Sequence, residues 1–192
     1  MAKDAARVAR IVNETVAEGR NTLDLSNCKL TSFPVALFKV MKDVLGNIHF
    51  ISLENNELKS ITGDFMTNFN QLRELNLEGN YLKKLPDEVK TLTHLKTINL
   101  ARNKLSTFPH QLTELTTLEN INLEANEITG QQQSELHRIT SNFHTWISVA
   151  ATVIVSHPSI EKTSRLVSLS LLSLSPSSSA FFNNVITSFI FY

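Results

Sequence analysis

Four segments of this chain lie over one another without a gap: IHFISLENNEL (48–58), LRELNLEGNYL (72–82), LKTINLARNKL (95–105) and LENINLEANEI (118–128). Each follows L-x-x-L-x-L-x-x-N-x-L with isoleucine admitted for leucine. An earlier segment, TLDLSNCKL (22–30), fits the second half of that pattern with Cys28 where the others carry asparagine. The marker residues Cys28, Asn56, Asn80, Asn103 and Asn126 are separated by 28, 24, 23 and 23 positions. Such a recurrence constrains the fold more than any local propensity, because each unit buries its apolar face only by stacking on the next.

Inside a unit, alternate apolar residues such as Leu75 and Leu77 point inward from a short strand, while Asn76 and Glu78 point outward. Strands returning at a nearly constant interval pair in parallel. The asparagine at the turn offers a carbonyl and an amide to backbone groups that the bend leaves open. A thiol is a weaker donor, so Cys28 suits a terminal unit better than a middle one. A second landmark follows each strand: Phe33-Pro34, Leu85-Pro86 and Phe108-Pro109, with Ile61-Thr62 as the variant lacking proline. Proline there fixes the backbone as the chain turns toward the opposite side. The return leg repeats an apolar residue every three or four positions, as in Leu112, Leu115 and Leu118, which suits a short helix or a 3₁₀ segment.

These segments resemble the leucine-rich repeat family in its short intracellular style with the Leu-Pro landmark. The resemblance implies an α/β fold, a solenoid with a parallel concave sheet and short helical or 3₁₀ convex segments. It also implies a protein-binding role, and it carries over no defined activity and no cofactor. Three divisions are expected. Residues 1–19 form an N-terminal capping helix, with Val8, Ile11, Val12 and Val16 at helical spacing and Gly19 placed to end it. Residues 20–130 hold about five repeats, and residues 131–192 form a divergent tail.

The break comes abruptly. One repeat after Phe108-Pro109 the frame lands on Gln131-Gln132, and the next apolar positions fall on Glu135, Arg138 and Ser141. Beyond residue 130 the charged side chains are Glu135, Arg138, Glu161, Lys162 and Arg165, in a Ser-rich sequence that ends AFFNNVITSFIFY. Such low-charge runs are β-prone and aggregation-prone. The apolar run WISVAATVIV is too short for a spanning helix, so a membrane is not the expected partner. Leu136, Ile139 and Phe143 are expected to cap the last repeat at most partly.

The expected working surface is the set of outward strand positions, which fall into columns. They are Thr22, Phe50, Glu74, Thr97 and Asn120; Asp24, Ser52, Asn76, Asn99 and Asn122; Ser26, Glu54, Glu78, Ala101 and Glu124; and Asn27, Asn55, Gly79, Arg102 and Ala125. Their acids are Asp24, Glu54, Glu74, Glu78 and Glu124, opposed by Arg102, on a chain whose formal net charge is zero. Strands about 4.8 Å apart would bring Glu54 and Glu78 close enough to repel unless something positive sits over them. Charge matching then points to a basic segment of another protein as partner. Phe50 either anchors that partner or packs against the N-terminal region.

Other classes find little support. Balanced charge gives no global attraction for nucleic acid. His49, His94 and His110 lack metal-ligand spacing, and Cys28 is expected to be buried and inert. Neither a phosphate-cradling loop nor a differently tuned acid and base pair is visible, so no enzyme, metal or cofactor is expected. One cysteine and a charged N-terminus fit a reducing compartment, cytoplasmic with nuclear residence open, and Asn13-Glu14-Thr15 reads as a chance glycosylation match. The oligomeric state is left open. The competing reading is a vestigial, splice-type product whose solenoid is incompletely capped and has no defined ligand.

Overall fold

The computed structural model describes residues 2 to 128. The tail expected from residue 131, including the partial cap at Leu136, Ile139 and Phe143, lies outside the described residues.

Five three-residue strands, β1 (Thr22–Asp24), β2 (Phe50–Ser52), β3 (Glu74–Asn76), β4 (Thr97–Asn99) and β5 (Asn120–Asn122), form one sheet in sequence order. All four pairings are parallel, and the register aligns Thr22, Phe50, Glu74, Thr97 and Asn120 across the sheet. The columns drawn from the sequence are therefore rows of real neighbours. Every inward position from Leu23 to Leu123 is buried except Ile121, which is partly covered. These residues make one continuous core with the landmark residues Phe33, Ile61, Leu85 and Phe108.

Spacing decides which helix type closes each convex leg. The two longer units carry α-helices, α2 (Ala36–Val40) and α3 (Gly63–Asn68), and the first adds a 3₁₀ turn at Leu45–Asn47. The two 23-residue units carry 3₁₀ segments at Asp87–Thr91 and His110–Glu114. A 3₁₀ helix rises about 2.0 Å per residue against about 1.5 Å for an α-helix, so it spans a similar leg with fewer residues. Pro86 and Pro109 immediately precede the two 3₁₀ segments in extended conformation, and Thr62 does the same for α3. The wider N-terminal legs are filled by Phe33, Phe38, Phe65 and Phe69, whose ring centroids lie 5.0 to 5.9 Å apart.

Helix α1 (Ala2–Glu18) packs on β1 and α2, burying Val8 and Val12 and partly covering Ile11 and Val16. It ends in a Schellman motif: Gly19 has φ +60°, its N–H donates to Val16 O, and the Arg20 N–H donates to Thr15 O at 3.0 Å. Thr15 is 1% exposed and its hydroxyl finds no hydrogen-bond partner among the described residues. The glycosylation-like triplet thus lies within a helix with its threonine in the interior.

Candidate functional site on the concave face

The side chains of this face are aimed by the turns that end each strand. At each turn an asparagine stitches its unit to the one before. Asn80 Nδ2 donates to Leu53 O at 2.9 Å in the preceding repeat and to Leu77 O at 3.0 Å in its own, while its Oδ1 accepts the Leu58 N–H at 3.0 Å. Asn56, Asn103 and Asn126 repeat the arrangement, and Asn56 Oδ1 accepts the N–H groups of both Cys28 and Leu30. Cys28 closes the series. It is 2% exposed, its thiol donates weakly to Ser26 O, and burial raises its pKa. With no earlier repeat to bond, asparagine's backward-reaching amide has no function at position 28.

The residue before each ladder position adopts a left-handed conformation: Asn27, Asn55, Gly79, Arg102 and Ala125 have φ between +53° and +67°. That bend lifts their side chains over the rim of the sheet. Asparagine and glycine tolerate it, whereas arginine and alanine are held there against their preference.

The second column pins the strand ends. Asp24, Asn76, Asn99 and Asn122 each accept, through Oδ1, the N–H two residues on, at 2.9 to 3.1 Å. Two of these asparagines also reach back with their amides: Asn76 to Glu54 Oε2 at 3.1 Å, and Asn99 to Glu78 Oε2 at 2.8 Å. Asn122 pairs with Asn99 in the register, and the strand before it carries Ala101 where the earlier ones carry Glu54 and Glu78, so its amide donates to no carboxylate among the described residues.

Glu54 and Glu78, the pair expected to repel, are therefore each held by an amide from the next strand. Glu78 also has a cation over it. Arg102 Nε pairs with Glu78 Oε1 at 2.9 Å, and its Nη2 donates to Asn55 Oδ1 at 3.0 Å. The amide of Asn55 in turn donates to Glu54 Oε1 at 3.0 Å. The centre of the stripe is a closed polar network, and Asn55 and Gly79 belong to it although neither carries charge. Their signal in the sequence was the left-handed position before the ladder residue.

The remaining positions differ. Glu74 and Glu124 are exposed and make no ion pair among the described residues, and the exposed carboxylate of Asp24 caps its own turn. Ser52, expected on the working face, is 6% exposed, and its hydroxyl lies 3.5 Å from the Glu54 N–H. Phe50 is half-buried between Thr22 and Glu74. Lys96–Glu119 and Lys104–Glu127 ion pairs at 2.9 and 3.1 Å join the last two repeats. A shallow open groove of about 310 Å³ runs along the rim between Asn55, Tyr81, Arg102 and Lys104.

Among the described residues, no group of three His, Cys, Asp or Glu side chains is placed to hold a metal ion, and no helix is long and apolar enough to cross a membrane. His49 precedes β2, while His94 and His110 are exposed on the convex side.

Leucine-rich repeat family models agree with this architecture. The family model described as Leucine rich repeat matches residues 70–128, and a second of the same description matches residues 21–41. Leucine-rich repeat-containing protein 20 of Mus musculus is 62% identical over 94 residues, and that of Homo sapiens 61% identical over the same length. In each case the match covers 49% of this chain and 51% of the relative, so the chain spans about half the length of the curated relatives it matches. A solved leucine-rich repeat protein of Leptospira interrogans is 29% identical with a TM-score of 0.47, over 56% of this chain and 26% of that one. Residues 21–41 and 70–128 thus match leucine-rich repeat models, and the parallel five-stranded ladder over residues 22 to 128 has the architecture of a leucine-rich repeat solenoid.

Proposed function

We propose that this chain is a non-catalytic interaction module, an adaptor whose concave face takes up a basic segment of a partner protein. The observation that carries the reading is the charge of the outward columns: Asp24, Glu54, Glu74, Glu78 and Glu124 stand against Arg102 on a chain of zero net charge. Leucine-rich repeats recur in protein recognition, and complementary charge speeds and orients encounter. The exposed acids Glu74 and Glu124 offer the first contacts, with Asp24 at the far end and Phe50 as an apolar neighbour.

The cleanest test reverses the exposed pair and leaves the central network alone. A fluorescent peptide of alternating arginine and serine should bind the full chain, and Glu74→Lys with Glu124→Lys should weaken that binding about tenfold while the circular dichroism spectrum is kept. Unchanged affinity would reject the basic-segment reading.

The loss of the repeat template after Ile128 motivates the alternative, a product with an incompletely capped end and no ligand. Limited proteolysis of the full chain beside residues 1–142 separates the two. A tail that resists cleavage and whose removal unfolds the repeats would dispose of the alternative.

A further inference from the structure

The side chain that closes the middle of the concave stripe comes from the chain itself, and it reaches its place by an unusual route. Arg102 lies 47 residues from Asn55 and crosses the intervening repeat to bond it, passing the turn at residue 79. The passage exists because that residue has no side chain: a Cβ at Gly79 would stand 2.5 Å from Asn55 Oδ1 and 3.5 Å from Arg102 Nη2. In its place the guanidinium satisfies Glu78 directly and Glu54 through Asn55, while the Arg102 side chain remains 54% exposed. It is held by surface bonds to a polar network and not by core packing, so it can leave without disturbing the strands.

We propose that Arg102 is a built-in competitor for the partner's cation, occupying the Glu54 and Glu78 seat in the free protein until an incoming basic side chain displaces it. This rests on the reading that the concave face takes a basic segment. It makes that face selective. The outer acids Asp24, Glu74 and Glu124 attract any positive charge, but the centre yields to a group that matches a guanidinium's forked donors. A point-charged lysine gains less there than an arginine does.

The test measures fluorescence anisotropy of two labelled peptides, alternating arginine with serine and alternating lysine with serine, on the full-length protein. Arg102→Gln should bind the arginine peptide about three- to five-fold more tightly than the natural chain, the scale of one half-exposed ion pair. Lys104→Gln removes the same charge from the adjoining rim, where it pairs with Glu127 at 3.1 Å, and should change affinity less than about 1.5-fold. Adding Glu78→Gln to Arg102→Gln should return the affinity to its starting value, and the preference for arginine over lysine should narrow in Arg102→Gln. Equal binding by the natural chain, Arg102→Gln and Lys104→Gln overturns this proposal and leaves the basic-segment reading standing. Absence of peptide binding by all three overturns both.

Discussion

At the scale of single residues, the ladder shows what a buried polar side chain contributes when every bond it makes crosses a boundary. Asn80 satisfies a donor and a carbonyl in the preceding repeat as well as a carbonyl in its own. Removing its amide leaves these groups buried without partners, so Asn80→Ala should lower unfolding stability by about 3 kcal/mol in urea titrations. Cys28 has nothing behind it to bond, and Cys28→Ala should cost about 1 kcal/mol, the loss of one small buried group. A smaller penalty at Asn80 than at Cys28 would show that the ladder is not the seam between repeats. The thiol, whose pKa is raised by burial, should react slowly with a disulfide reagent at neutral pH and rapidly once urea unfolds the chain. The period, the strand faces and the place of Cys28 were all legible in the sequence. The neutralised centre was not, because Arg102 reads as a lone opposing charge until its path over Gly79 is known. Ser52 shows the same limit: alternation put it outward, yet the folded chain leaves it buried.

At the scale of elements, two glycines of the same backbone conformation separate strain from crowding. Gly19 ends α1 at φ +60° with nothing near the position a Cβ would take, whereas a Cβ on Gly79 at φ +67° meets Asn55. Gly19→Ala should cost about 1 kcal/mol, from the dihedral alone. Gly79→Ala should cost about 2 kcal/mol and also release Arg102 from Asn55, visible as a shifted Arg102 Nε–H resonance. Equal costs with an unmoved resonance would contradict the crossing. The end of α1 is further tied by Arg20, which bonds Glu18 at 2.7 Å and lies 3.5 Å from Glu14. The hydrogen bond from Arg20, followed by its charge, lowers the Glu18 pKa from 4.5. Because the folded value is the lower one, this contribution is present above the ordinary carboxylate range and fades as pH falls through the depressed value. Glu18→Gln should therefore be slightly less stable than the natural chain at neutral pH and equal to it in acid, as followed by thermal melts. The choice between α and 3₁₀ legs was implicit in intervals of 28, 24 and 23 residues, although apolar spacing alone did not separate the two.

At the scale of the whole solenoid, most long-range bonds join adjacent repeats, and cohesion approximates a sum of nearest-neighbour terms. Deleting residues 81–103, one complete interval between ladder asparagines, should leave a cooperatively folding chain of lower stability. Deleting residues 81–102 leaves an interval of 24 positions between Asn80 and Asn126, the interval already present between Asn56 and Asn80, so the convex leg should absorb the extra residue and the strands should keep their faces. Both variants should keep a cooperative urea transition, and its loss in the 81–103 deletion would contradict the stacking account. Arg102 adds a link that skips a repeat, so the central units should unfold together more tightly than the flanking ones.

The asparagine bonds all run the same way, and this gives the stack a direction. Each unit's loop N–H, at Leu30, Leu58, Leu82 and Leu105, is received by the asparagine of the unit that follows. The first unit therefore asks its cap for apolar cover, which a helix such as α1 provides through Val8 and Val12. At the far end the matching N–H belongs to Ile128, and whatever comes next must bring an acceptor as well as cover. The two ends are not interchangeable: a second copy of α1 grafted after Glu127 would shield carbon and strand a donor. Joining two such stacks head to tail would succeed only where the downstream stack opens with an asparagine in the position that Cys28 holds here.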